Sequence, residues 1–197
     1  MKTLDLFVVE LEKPVHDEIV LQNGAKLFVD NKFNEFKWRV TEGPVVCAPL
    51  RHETGVEEGD TLYFHHLVVV NEGQVLTGHD NHYLVRYDPA QTTNNQAIAY
   101  KNKKGVINTL AGWALIKPIF EEEESSDLIE TVKLQEATTT KGIVAFDAPY
   151  LEEAGVACGD IVVFRDNMQY KITIDETDYY RVRVQDLLYV EEEIYDD

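Results

Sequence analysis

Cysteine and long apolar runs are scarce in this 197-residue chain, and each scarcity excludes a class of protein. The two cysteines, Cys47 and Cys158, are too few for a disulfide scaffold, so the sequence predicts a cytoplasmic protein in a reducing compartment. No apolar run approaches the roughly 20 residues that a membrane-spanning helix needs. Asp5, Glu10 and Glu12 interrupt the apolar N-terminal stretch, which is therefore not expected to be a signal peptide.

Basic residues are also few relative to acidic ones. Lysine and arginine number 18 against 36 aspartates and glutamates, which gives a formal net charge of −18. A chain this acidic repels phosphate backbones and anionic lipid surfaces, so we expect no nucleic acid and no membrane among its partners. Acidic runs at residues 121–124 and 191–193 indicate either solvated surface or loops that self-repulsion keeps mobile.

Motifs that mark common enzymes are missing as well. The chain has no Gly-x-Ser-x-Gly, no phosphate-binding glycine loop and no His-Glu-x-x-His, so the sequence predicts no catalytic residues and no cofactor. The histidines leave one metal hypothesis, in which His65, His79 and His82 meet across a hairpin that turns at residues 71–73. His66 is expected to point away from His65, because neighbours on a strand face opposite sides. Exposed polar positions on the outside of a hairpin are the alternative.

What the sequence does contain is an internal repeat. Residues 55–64, GVEEGDTLYF, return one hundred positions later as residues 155–164, GVACGDIVVF. Matching segments flank both copies in the same order, GPVVCAP and GIVAFDAP before them, HYLVRY and YYRVRV after them. The repeat predicts two domains, residues 1–104 and 106–197, with a linker near residues 101–112. The alternative is a pair of unrelated β-domains that share a common turn.

Each copy is rich in β-branched and aromatic residues, which favour strands. The alternation in TLYFH predicts that Leu62 and Phe64 share the inward face, with Val162 and Phe164 in the matching positions. A Gly-Asp pair before each strand predicts a tight turn in which aspartate binds nearby backbone. The expected fold class is all-β, as small barrels or sandwiches.

The second copy carries a family resemblance. The succession GIVAFDAP, GVACGDIVVFRD and YYRVRVQDLLYVEE is similar to the C-terminal two-thirds of the chaperonin-10 family, the GroES-like co-chaperonins. The first copy joins this resemblance mainly through the repeat. Two tandem GroES-like domains are therefore implied, each a partly open β-barrel, in a homo-oligomeric ring that caps a GroEL-like chaperonin. The short connections at residues 49–55 and 149–155 depart from the family's roof hairpin, as they do in divergent phage members.

In that family a mobile loop near the front of each subunit places an apolar triplet in a groove of the chaperonin. The resemblance assigns this role to Ile19, Val20 and Leu21, and more weakly to Leu128 and Ile129 in the second copy. An ordinary β-strand is the alternative for the first segment, and a flexible surface loop is the alternative for the second. Two functions stay open, a co-chaperonin lid and a non-catalytic oligomeric binding module on the same fold.

Overall fold

A computed structural model describes residues 1–12, 18–20, 25–28, 40–70, 74–120 and 137–191. The chain divides into two compact units, Met1–Ile107 and Asn108–Asp197. The predicted all-β class is confirmed, because antiparallel strands dominate the described residues, which contain only two α-helices of four residues each. No helix in these residues is long and apolar enough to cross a membrane.

The first unit is built on one antiparallel sheet. Its strands are β1 (Leu6–Glu10), β4 (Glu42–Cys47), β5 (Thr61–Phe64), β6 (His82–Arg86), β7 (Ala97–Lys101) and β8 (Ile107–Thr109). They lie in the order β6-β1-β4-β5-β7-β8, and the boundary between the units falls within β8. A separate hairpin contains β2 (Glu18–Val20) and β3 (Lys26–Phe28), and the helix α1 (Leu67–Val70) follows β5.

The second unit repeats this sheet. Its elements are β9 (Trp113–Phe120), β10 (Ala137–Val144), α2 (Pro149–Glu152), β11 (Ile161–Phe164), β12 (Tyr170–Ile174), β13 (Thr177–Arg183) and β14 (Leu187–Glu191). The order β12-β13-β9-β10-β11-β14 contains the same five-strand succession as β6-β1-β4-β5-β7. No pairing among the described residues joins the two end strands of either sheet, so neither sheet closes into a complete barrel.

The two sheets share register as well as strand order. Gly43 pairs with Leu62 as Gly142 pairs with Val162. In the same way, Val9 pairs with Tyr83 as Ile116 pairs with Tyr180. Phe64 pairs with Ala97 as Phe164 pairs with Leu187. The register shift between β5 and β7 recurs between β11 and β14, at the last residue of β5 and of β11, whereas the shifts in the β1–β4 and β9–β10 pairs fall at different places. The repeat in the sequence is thus also a repeat of structure, strand for strand.

Both Gly-Asp turns have the predicted form. Gly59 and Gly159 have φ angles of 85° and 99°, which L side chains rarely adopt. Asp60 and Asp160 each accept a hydrogen bond at Oδ2 from the backbone amide three residues earlier, at 2.8 Å and 2.9 Å. Each turn therefore needs both residue types, one for its backbone angle and one for its short acceptor.

The core lies along the inward faces of these strands. Phe64 and Phe164 are both fully buried, as predicted, and Leu62 and Val162 are buried beside them. Tyr63 lies on the opposite face of β5 and is fully buried as well, so the first sheet is covered on both sides at this strand. The alternation alone did not predict this second covered face.

Candidate functional site

The longest connections in the two units leave their sheets at the same place. In the first unit the chain passes from β1 to β4 through residues 11–41, and in the second from β9 to β10 through residues 121–136. β1 and β9 have the same position in the strand order, and so do β4 and β10. The two segments that the resemblance predicts for binding therefore belong to equivalent connections of the repeat.

Ile19 and Val20 lie in β2, in a hairpin that forms a two-stranded sheet of its own. Ile19 pairs with Leu27 of β3, and Val20 pairs with Lys26. β-branched residues favour this extended conformation. A two-stranded hairpin is only marginally stable by itself in water, so its pairing adds little to the stability of the six-stranded sheet.

The other predicted binding residues, Leu21, Leu128 and Ile129, lie outside the described residues. What the structure describes of the second connection is its two flanks. β9 and β10 are eight residues long each and pair again at Phe120 and Ala137, beyond an irregularity in register. The second connection therefore starts and ends beside a pair of residues, Phe120 and Ala137, that are partners across β9 and β10.

The edges of the two sheets differ. In the first unit β8 covers the outer edge of β7, whereas the equivalent strand β14 is the last strand of the second sheet among the described residues. β14 exposes Leu188 and Tyr189, at 53% and 58% of their surface. A strand edge with exposed apolar side chains is a template for pairing with another chain. β14 is therefore the candidate surface for association.

Within the described residues no group of three or more His, Cys, Asp or Glu side chains is placed to hold a metal, and the turn predicted for the histidine hairpin lies outside them. β5 ends at Phe64, and His65 Nδ1 accepts a hydrogen bond from Leu67 N (3.2 Å) at the start of α1. Because the strand stops there, the rings of His65 and His66 stack with centroids 4.6 Å apart, and the expectation that they point to opposite faces is wrong. His79 lies in the loop before β6, and its ring lies beside that of His82, the first residue of β6.

The second unit contains a stack of arginine and aromatic side chains that sequence reasoning missed. Arg183 lies 4.2 Å from the ring centroid of Trp113, and Arg181 lies 5.7 Å from the same ring and 5.3 Å from that of Tyr170. Burial lowers the pKa of Arg183, and Asp186 opposes that shift. Arginine, tryptophan and tyrosine are enriched at binding hot spots, but here their contacts also pack side chains of β13 against β9. Its only sequence signal is the spacing of the arginines along one face of a strand.

Comparison with protein-family models yields no match to this chain, and comparison with curated proteins yields none either. The resemblance to the chaperonin-10 family therefore remains a prediction from the quoted motifs. The strand order, the shared register and the two equivalent connections are the structural observations that bear on function.

Proposed function

We propose that this chain is a co-chaperonin-like protein, with two tandem GroES-like domains that cap a GroEL-like chaperonin ring and assist protein folding. Binding would run through the connection between β1 and β4, which contains Ile19, Val20 and Leu21. The observation that carries this proposal is the equivalent placement of the two long connections, each after the first strand of its sheet. The family resemblance puts its binding loops at that point.

The physical properties of the hairpin suit a lid that is released and rebound. A segment that becomes ordered only on binding loses part of its binding free energy to that ordering, so each contact is weak. Several copies in one ring recover affinity because they bind together. A hairpin of two three-residue strands that form a sheet of their own suits the first requirement, because a two-stranded hairpin is only marginally stable by itself.

Homo-oligomerisation is the second requirement of a lid. β14 is the last strand of the second sheet among the described residues and exposes Leu188 and Tyr189, which supports association between copies of this chain. A head-to-tail contact of this kind forms a ring when its rotation closes. We assign the assembly to the cytoplasm and propose neither catalysis nor a cofactor for it.

The pairing of Ile19 and Val20 within β2 favours a second candidate, a non-catalytic oligomeric binding module with no chaperonin partner. In that case the hairpin is a fixed part of the surface rather than a segment that becomes ordered on binding. The two candidates differ in what the apolar triplet does.

Co-sedimentation with a GroEL-like chaperonin in the presence and absence of ATP separates the two candidates. The lid predicts ATP-dependent capture of the wild-type chain, and loss of capture when Ile19, Val20 and Leu21 are all replaced by serine. The matched control replaces Leu128 and Ile129 with serine, and we expect a smaller loss there. Unchanged far-ultraviolet circular dichroism must accompany the triple variant. A wild-type chain that is never captured, or a triple variant still captured, would contradict the proposal.

A further inference from the structure

Two histidines of the first unit lie side by side in the tight loop that leads into β6. His82 N donates a hydrogen bond to His79 O (3.1 Å), which makes the two residues the ends of one turn. Their ring centroids are 4.8 Å apart, and the ring planes are inclined by 47°. His79 is exposed and His82 is half-buried, so the pair is open to solution.

This geometry suits a shared metal ion. Two imidazoles on one tetrahedral zinc ion, with Zn–N distances of about 2.0–2.1 Å, hold their ring centroids roughly 5 Å apart with inclined planes. The pair His65 and His66 has a similar centroid distance of 4.6 Å, but its planes are inclined by only 22°. Stacked rings direct their in-plane lone pairs along nearly parallel planes, so they do not converge on one ion. His65 Nδ1 is also occupied by Leu67 N.

The surroundings of His82 define which of its nitrogens is available. Asn81 Nδ2 donates to Glu10 Oε1 (3.0 Å) and to Leu11 O (2.9 Å), so Asn81 Oδ1 is the acceptor in its 2.9 Å contact with His82 Nδ1. The proton of His82 is therefore on Nδ1, and the lone pair is on Nε2. A metal-binding histidine almost always donates its second ring N–H to an oxygen in this way.

The local charge favours a cation. Glu10 is the direct cross-strand partner of His82, Asp80 lies between the two histidines in the sequence, and the chain has a net charge of −18. We propose that His79 and His82 bind a divalent late first-row transition metal, with Zn²⁺ as the probe, since imidazole suits these ions. The described residues contain no group of three or more His, Cys, Asp or Glu side chains placed to hold a metal, so water would complete the shell.

Isothermal titration calorimetry of the full chain with Zn²⁺ tests the pair directly. We expect one saturable site in the wild type, and affinity at least about tenfold weaker in His79→Gln and in His82→Gln, comparable with the loss of an outer-shell partner in known sites. Asn81→Ala should weaken binding by about tenfold as well, because it releases the ring of His82. The double variant His65→Gln with His66→Gln is the matched control, and its affinity should equal that of the wild type.

A measurement on the wild-type chain avoids any effect of the substitutions on folding. Substoichiometric Cu²⁺ should broaden the imidazole proton resonances of His79 and His82 and leave those of His52, His65 and His66 sharp. No saturable binding of Zn²⁺, wild-type affinity in His79→Gln, or equal broadening of all these histidines would overturn the proposal.

Discussion

Gly43 and Gly142 occupy the same point of the two sheets, but a side chain would meet different surroundings at each. A Cβ on Gly142 would lie 2.4 Å from Ile116 Cγ2 and 2.6 Å from Lys117 O, whereas a Cβ on Gly43 would come no closer than 3.0 Å, to Leu11 Cδ2. A side chain at position 142 would therefore meet the backbone of β9, whereas at position 43 the nearest atom belongs to a side chain. Copies with one register can differ in how tightly their strands are packed.

The strand added to the shared five differs as well. The first unit adds β8 beyond β7, and the second unit adds β12 at the opposite end, beyond β13. In the first unit, the described residues beside β6 form a loop instead of a strand like β12; it makes an isolated bridge, Val75 to Tyr83, and contains His79, whose ring lies beside that of His82. The two units thus share five strands and differ at the edges of their sheets.

Replacement of the buried phenylalanine that both units share should cause the largest loss in the free energy of unfolding, and the loss should be similar in the two units. Phe64→Ala and Phe164→Ala each remove a fully buried ring and leave a cavity, which costs about 3–5 kcal/mol. Urea unfolding followed by circular dichroism measures each loss. A loss well below this range in one unit alone would break the equivalence of the two positions.

Gly142→Ala and Gly43→Ala test the difference in packing. A methyl group at position 142 meets backbone, which cannot move aside, so we expect about 3 kcal/mol of destabilisation. At position 43 the nearest atom belongs to the leucine side chain at position 11, which can shift, and we expect about 1 kcal/mol. Equal losses in urea unfolding would show that the two strand pairs are packed alike.

Asp60→Ala and Asp160→Ala compare the two turns. Asp60 is 3% exposed and also accepts a hydrogen bond from Lys103 N (3.2 Å), so its loss leaves two amides without an acceptor and should cost about 2 kcal/mol. Asp160 is half-buried and accepts one such bond, from Ala157 N (2.9 Å), so we expect about 1 kcal/mol. Thermal unfolding of the two variants shows which one loses more stability, and a larger loss from Asp160→Ala than from Asp60→Ala would contradict this prediction.

The smallest effect on stability is expected at β12, which has no counterpart among the described residues of the first unit. Hydrogen bonds from Lys171 and Thr173 lower the pKa of Asp178 below its usual value of 3.8. Because the folded pKa is the lower one, the stabilisation is present above that usual value and is lost as pH falls through the folded pKa. Asp178→Asn should remove a small part of the acid sensitivity, measured as the free energy of unfolding against pH. Unchanged acid sensitivity would show that the ion pair contributes nothing.

Sequence reasoning predicted the features that depend on local chemistry. Gly59 and Asp60 predict their turn from the sequence, because the turn requires a residue with positive φ and a short side chain that accepts a backbone hydrogen bond within four residues. The burial of Tyr63 and the stacking of His65 on His66 were missed, since they depend on where β5 ends and on what covers it. Periodicity locates a strand better than it locates the strand's last residue.

For the candidate site, the binding role of the segment around Ile19 and Val20 stays a prediction, and the sequence left the conformation of that segment open. Strand and mobile loop were both compatible with Ile19 and Val20, and only the register with Leu27 distinguishes a paired hairpin. The sequence could not predict the stack of Arg183 on Trp113 either, because the pairing of β9 with β13 joins residues that are far apart in the chain.

Amide hydrogen exchange of the wild-type chain tests most directly whether one sheet occurs twice. The informative amides are matched pairs that donate equivalent hydrogen bonds at 2.8–2.9 Å: Val45 and Val144, Gly59 and Gly159, and His65 and Arg165. Two copies of one sheet predict that both members of every pair exchange far more slowly than unstructured chain. The account would be contradicted if the amides of Val45 and Gly59 were protected while those of Val144 and Gly159 exchanged at the rate of unstructured chain.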